Sequence, residues 1–116
     1  MIKVYGIKNC NTMQKAFAWL NENNIEFEFH DYKKLGIEES TIKNWLKKNA
    51  LDELINKKGT TFKKLPETTQ VACKIEASAI PLMQQFSSMI KRPIIEKKEL
   101  LLLGFDPEVW SKKLLK

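Results

Sequence analysis

Ile2-Lys3-Val4-Tyr5-Gly6-Ile7-Lys8-Asn9-Cys10-Asn11-Thr12-Met13 is the stretch whose reading decides the fold. Ile2 to Tyr5 alternates β-branched and aromatic residues with polar ones and stops at Gly6, the pattern of a short strand. Met13, Ala16, Phe17 and Leu20 then fall at i, i+3, i+4 and i+7, one face of a helix. Cys10 therefore lies in the turn between a strand and a helix N-terminus. A thiol there meets unpaired backbone N–H groups and the positive end of the helix dipole, which favour thiolate over thiol. Lys8 adds a cation nearby. Free cysteine also packs as a small hydrophobe in most proteins, so position alone leaves a reactive and a merely buried Cys10 both open.

Working outward, Asn21-Glu22-Asn23-Asn24 breaks the helix, and Ile25 to Tyr32 reads as a second strand with Ile25, Phe27 and Phe29 in alternation. Strand, crossover helix and parallel strand make a βαβ unit, with Cys10 at the carboxyl end of its first strand, where open α/β sheets place their chemistry. A helix starting near Glu38 carries Ile42, Trp45 and Leu46, with acidic residues in its first turn. Asn56 to Lys64 reads as a loop. Pro66 and Pro81 look like first-turn prolines of short helices, the second with Leu82, Phe86, Met89 and Ile90 at helical spacing. Ile94-Ile95 and Leu100-Leu103 flank Glu96-Lys97-Lys98-Glu99 as a β-hairpin. Asp106 as N-cap, Pro107 at the first helical position and Glu108 open a last helix through Val109, Trp110 and Leu114.

The residues Tyr5-Gly6-Ile7-Lys8-Asn9-Cys10, Lys15-Ala16 and Trp19-Leu20 resemble those of the arsenate-reductase-like (ArsC/Spx/MgsR) family. So do Phe29-His30-Asp31-Tyr32-Lys33-Lys34, Lys58-Gly59-Thr60-Thr61-Phe62-Lys63-Lys64-Leu65 and Ile90-Lys91-Arg92-Pro93-Ile94-Ile95. Their order spans residues 2 to about 105. The resemblance implies an α/β, thioredoxin-like fold: a mixed central sheet flanked by helices, with a helical lobe inserted over about residues 36–90 of a single domain, 1–116. It places the essential cysteine at Cys10 and Arg92 beside it, before a cis Pro93. It also implies an anion-binding set of Lys8, Asn11, Thr12, Lys58 and Pro93.

Composition narrows the classes. With 116 residues, 43% hydrophobic and 29% charged, the chain suits one globular core. No apolar stretch approaches the roughly 20 residues that cross a bilayer, and the first residues run into the strand pattern, so the expectation is a cytoplasmic monomer without membrane contact. Cys10 and Cys73 offer neither a metal-ligand spacing nor a disulfide framework. The net charge of +6 is spread among glutamates. Its densest group, Lys57, Lys58, Lys63 and Lys64, reads as a solvated surface or, more sharply, as a rim for an anionic substrate. No aromatic residues alternate with these lysines as nucleic-acid stacking platforms would.

Individual residues then sort themselves. Redox switches of the Spx type carry a second cysteine three residues after the first; here that residue is Met13, better read as core, so a resolving thiol must come from outside. Cys73, among Val71, Ala72 and Ile75, reads as a buried helix cysteine. Arg92 has the fork geometry to hold a thiolate and a carboxylate or oxyanion. His30 should face away from Phe27 and Phe29 and reads as structural or surface, while Trp19, Trp45 and Trp110 read as packing. Arsenate-reducing relatives use three arginines, where this chain has Lys58, Arg92 and Phe105, so the pattern is closer to the YffB-like branch. The resemblance thus implies an oxidoreductase working through Cys10 with no bound cofactor and with glutathione or another thiol as co-substrate. Its alternatives are a Spx-like regulator that binds the α subunit of RNA polymerase, and an arsenate reductase.

Overall fold

The computed structural model describes residues 1–115. These form two compact units, Met1–Asp31 with the chain from Arg92 onward, and Tyr32–Lys91.

The first unit holds a four-stranded sheet. Strand β1 (Ile2–Gly6) leads into helix α1 (Asn11–Glu22), and β2 (Phe27–Asp31) returns parallel to β1, Val4 opposite Phe29. After the second unit, β3 (Ile94–Lys97) runs antiparallel to β1 and β4 (Leu100–Leu103) antiparallel to β3, giving the order β2-β1-β3-β4. A βαβ unit followed by an antiparallel hairpin is the topology of a thioredoxin-like fold. The strand alternation decides which face is apolar: Ile2, Val4, Ile95 and Leu102 are buried with Met13, Ala16 and Leu20 of α1. Trp110 and Leu114 of the last helix, α8 (Pro107–Leu114), join the same cluster. Asp106 caps α8 as its sequence indicates, its carboxylate accepting from the backbone N–H of Glu108 at 3.1 Å and Val109 at 3.3 Å.

Phe27 and Phe29 both meet Phe17 of α1, at ring separations of 5.5 and 5.0 Å. His30 points to the opposite face, 4.9 Å from the ring of Tyr5, whose hydroxyl donates to Glu96 at 2.9 Å. Strand β2 is shorter than the alternation from Ile25 to Tyr32 suggests. Asn24 adopts a left-handed φ of 55° and the Ile25 N–H donates to the Leu20 carbonyl at 2.9 Å, so Ile25 closes α1 rather than opening the strand.

The second unit is helical: α2 (Tyr32–Leu35), α3 (Glu39–Leu46), α4 (Leu51–Leu54), α5 (Thr60–Lys63), α6 (Glu67–Ala72), α7 (Glu76–Gln85) and a 3-10 turn at Ser87–Met89. Ile42 and Trp45 of α3 and Ala79, Ile80 and Met83 of α7 are buried. Ile55 and Ile90 form an antiparallel bridge, flanked by hydrogen bonds from Asn56 to Met89 and from Lys91 to Leu54.

Three expectations need correction in this unit. The loop expected over 56–64 contains the helical turn α5. Its last carbonyls are held by a distant side chain: Gln70 Nε2 donates to the carbonyls of Phe62 at 3.0 Å, Lys63 at 3.4 Å and Leu65 at 3.1 Å. Pro66 is the N-cap of α6 rather than its first helical residue. Pro81 lies inside α7, which starts five residues earlier, at Glu76, behind an extended Ile75. The helix therefore gives up a backbone bond that proline has no N–H to make. The helical spacing expected through Phe86 and Ile90 ends at Gln85, and Ser87–Met89 tightens into the 3-10 turn.

Candidate active site at the start of helix α1

Cys10 is the N-cap of α1. Its backbone is extended (φ −148°, ψ 131°), and its carbonyl accepts the first helical bond, from Gln14 N–H at 2.9 Å. The half-buried thiol thus stands over N–H groups that have no partner within the helix. Partial burial pushes the thiol up, but the Met13 N–H, the Arg92 guanidinium, the Thr12 N–H and the Arg92 positive charge outweigh it, and the net effect holds Cys10 below its ordinary value. The groups that stabilise the thiolate are aimed at sulfur before any substrate arrives.

Arg92 and Cys10 belong to the same compact unit although they are far apart in the chain. Arg92 closes the connection into β3, its peptide bond to the buried Pro93 is cis, and the Pro93 carbonyl accepts from Gly104 at 2.8 Å. Pairing of β3 with β1, Ile94 opposite Tyr5, brings this corner to the carboxyl end of β1. Gly6 is the counterpart on β1: a Cβ there would lie 2.5 Å from Met13 Sδ and Cε and 3.5 Å from Arg92 Cβ. The bare glycine leaves the space that Met13, fully buried, occupies.

The remaining site residues divide. Asn11 and Thr12 are exposed at the first turn of α1, Thr12 contributing its backbone N–H. Lys8 is exposed and offers its carbonyl, which accepts from Cys10 N–H at 3.2 Å and from Gln14 Nε2 at 2.8 Å. Lys58 is an exposed residue of the helical unit, one before Gly59, the N-cap of α5. Phe105 packs edge-on against Trp110 at 4.9 Å, at the border of the core cluster under the sheet. Cys73 is buried in the helical unit, and burial pushes its thiol up against a smaller opposing pull from Lys57. Gln14 is the site residue that the sequence did not disclose, since an exposed glutamine off the apolar stripe carries no local signature. Among the described residues no group of histidine, cysteine and acidic side chains is placed to hold a metal ion, and no helix is long and apolar enough to cross a membrane.

A thioredoxin-like sheet with an inserted helical segment and a half-buried cysteine capping its first helix defines the class, and the chain belongs to the ArsC family, which it matches over residues 5–113. Within it the chain is YffB-like: a solved YffB protein is 40% identical over 98% of this chain and 99% of its own, with a TM-score of 0.92. An arsenate reductase (ArsC) related protein from Brucella melitensis is 43% identical over 96% of this chain and 92% of its own, with a TM-score of 0.76. A Haemophilus influenzae protein is 37% identical over 96% of each chain. The global transcriptional regulator Spx of Listeria innocua is more distant, 26% identical over 93% of this chain and 82% of its own.

Proposed function

We propose that this protein is a thiol-dependent reductase that works through Cys10 alone and is resolved by an external thiol. The observation that carries the reading is the set of donors on the thiol: two backbone N–H groups of α1 and the Arg92 guanidinium. The Cys10 thiolate attacks one sulfur of a substrate disulfide, the S–S bond breaks, and the departing thiolate takes a proton from water. A thiol such as glutathione then loses its proton and attacks the substrate sulfur of the mixed disulfide. Cys10 leaves again as thiolate, and the product carries the new disulfide. The external thiol is required because Met13 is a thioether and Cys73 is buried. Arg92, with Lys8, Asn11, Thr12 and Pro93 of the same compact unit as further anion-site residues, orients a carboxylate or oxyanion of the substrate through its planar fork. A reducing cytoplasm would supply the thiol, and one copy of the chain suffices.

The test is glutathione-dependent reduction of a model disulfide by wild type and Cys10→Ser. The serine variant is expected to lose turnover, and full activity in it would sink the proposal. The likeness to Spx favours one second reading, a regulator that contacts RNA polymerase. Binding to the carboxyl-terminal domain of the polymerase α chain, together with a silent Cys10, would support it. Arsenate reduction fits less well, since lysine at Lys58 supplies a point charge instead of a fork and Phe105 supplies neither. Absence of turnover at millimolar arsenate would dismiss it.

A further inference from the structure

Lys8 carbonyl is the point at which the Gly6–Cys10 connection is tied down. It accepts from the Cys10 backbone N–H at 3.2 Å, inside the loop, and from Gln14 Nε2 at 2.8 Å, one turn into α1. Gln14 also donates its own backbone N–H to the Cys10 carbonyl at 2.9 Å. One residue thereby grips both sides of the nucleophile, the residue itself through its carbonyl and the loop two residues before it. The orientation of sulfur relative to the Thr12 and Met13 N–H groups depends on how the loop enters the helix, because both donors are fixed in the first turn while Cys10 is extended. We infer that Gln14 is a positioning residue for Cys10: its side-chain bond to the Lys8 carbonyl holds the thiolate over the first-turn N–H groups. The inference rests on the reading of Cys10 as the reacting thiol. Arg92 before β3 is the charged group that acts on the Cys10 thiol; Lys8 lies in the loop and Asp31 stands opposite Gly6 on β2, and none of the three is altered by a change at Gln14.

The experiment is a pH titration of thiolate absorbance, in a Cys73→Ser background, for the otherwise unchanged chain, Gln14→Met and Gln14→Lys. Methionine keeps the length and helix preference of glutamine and removes the donor; lysine restores a donor of similar reach. Gln14→Met is expected to lower the thiolate fraction at pH 7 about threefold, the scale of one modest hydrogen bond, with the urea midpoint little moved. Gln14→Lys is expected to recover it, and to do so still in 1 M salt, where a Debye length of about 3 Å removes a simple charge effect. Coincident titrations of Gln14→Met and its parent would overturn the inference, as would a recovery by Gln14→Lys that salt abolishes. Intact titration shifts without disulfide turnover in the parent would sink the reductase reading and leave the positioning role standing. Turnover with coincident titrations would do the reverse.

Discussion

Replacing Arg92 with methionine removes the side-chain hydrogen bond to Cys10 and its Coulombic support while leaving the Met13 and Thr12 N–H groups in place. A hydrogen bond to a charged partner contributes about 1.5–3 kcal/mol. Both residues are partly open to solvent, so screening takes that just under the range, to about 1.4 kcal/mol, a tenfold fall in thiolate at a fixed pH below the midpoint. Reactivity does not fall by the same factor. A thiolate of higher basicity is a better nucleophile, with a Brønsted coefficient of about 0.4–0.5, so roughly half of the loss in logarithmic terms is returned.

Alkylation of Arg92→Met by iodoacetamide at pH 7, in a Cys73→Ser background, is therefore expected to be about threefold slower than in the parent. On the alkaline plateau, where both thiols are fully ionised, it is expected to be faster by a similar factor. The two pH–rate profiles cross, which a general loss of structure would not produce. Arg92→Lys, keeping charge without the fork, should lie between them. Profiles of Arg92→Met and parent that coincide at every pH would refute the assignment of Arg92 to the thiolate.

Stability should carry the same signature through linkage. Cys10 is held below the ordinary thiol value of about 9, so just below that value the unfolded chain binds more protons and stability rises with pH, the contribution being lost as pH falls through the lowered value. Cys73 is pushed up, so its contribution is full below the ordinary value and lost as pH climbs through the raised one. Urea midpoints of Cys10→Ser and Cys73→Ser across the neutral to alkaline range should flatten the first and second slopes respectively; slopes parallel to wild type would contradict the geometry. Gly6→Ala should be destabilising because its Cβ meets the Met13 thioether, and the Gly6→Ala/Met13→Ala double variant should lose less than the two single losses combined. Strict additivity in denaturant unfolding would show that the two side chains do not compete for one space. Leu20→Ala, fully buried in the α1–sheet cluster, should cost about 2–5 kcal/mol by urea unfolding, and a loss below about 1 kcal/mol would place Leu20 outside that core. Met13→Cys in a Cys73→Ser background should create an internal thiol pair between the N-cap Cys10 and the first turn of α1; a disulfide oxidant should then consume both thiols in a monomer by mass spectrometry.

The legible part of the fold was the part written locally. Alternation in Ile2–Tyr5, the i, i+3, i+4, i+7 stripe of α1 and the Asp106-Pro107 helix start all act within a few residues, and each stands where its pattern indicates. What was not legible depends on bonds to backbone carbonyls that no residue pattern marks. Helix α5 is closed by Gln70, and the left-handed Asn24 that shortens β2 is fixed by a bond back to α1. Pro81 misleads because a proline reads as a helix start unless a preceding acidic turn, here Glu76, is given more weight. The site follows the same rule: Cys10 is visible from its strand–helix junction, whereas Arg92 becomes a candidate only through the family motif. Gln14 is invisible because its partner is a backbone carbonyl.

The chemistry of the site follows from what fills the third position after the nucleophile. In a cysteine pair one electron sink serves both halves of the exchange, so the protein can store oxidation internally. Here Met13 is buried against Gly6, and its value is steric: it completes the apolar stripe of α1 and closes the space beneath the Cys10 loop. In the proposed reductase, a sulfur stabilised from one side by Arg92 and two backbone N–H groups, with a thioether at residue 13, would form a mixed disulfide with an outside thiol. The same stabilisation makes Cys10 a good leaving group when an external thiol attacks, since a thiolate of lowered basicity departs faster. A larger thiolate fraction and easier release would thus both come from one set of donors, which suits the proposed reductase without a partner cysteine.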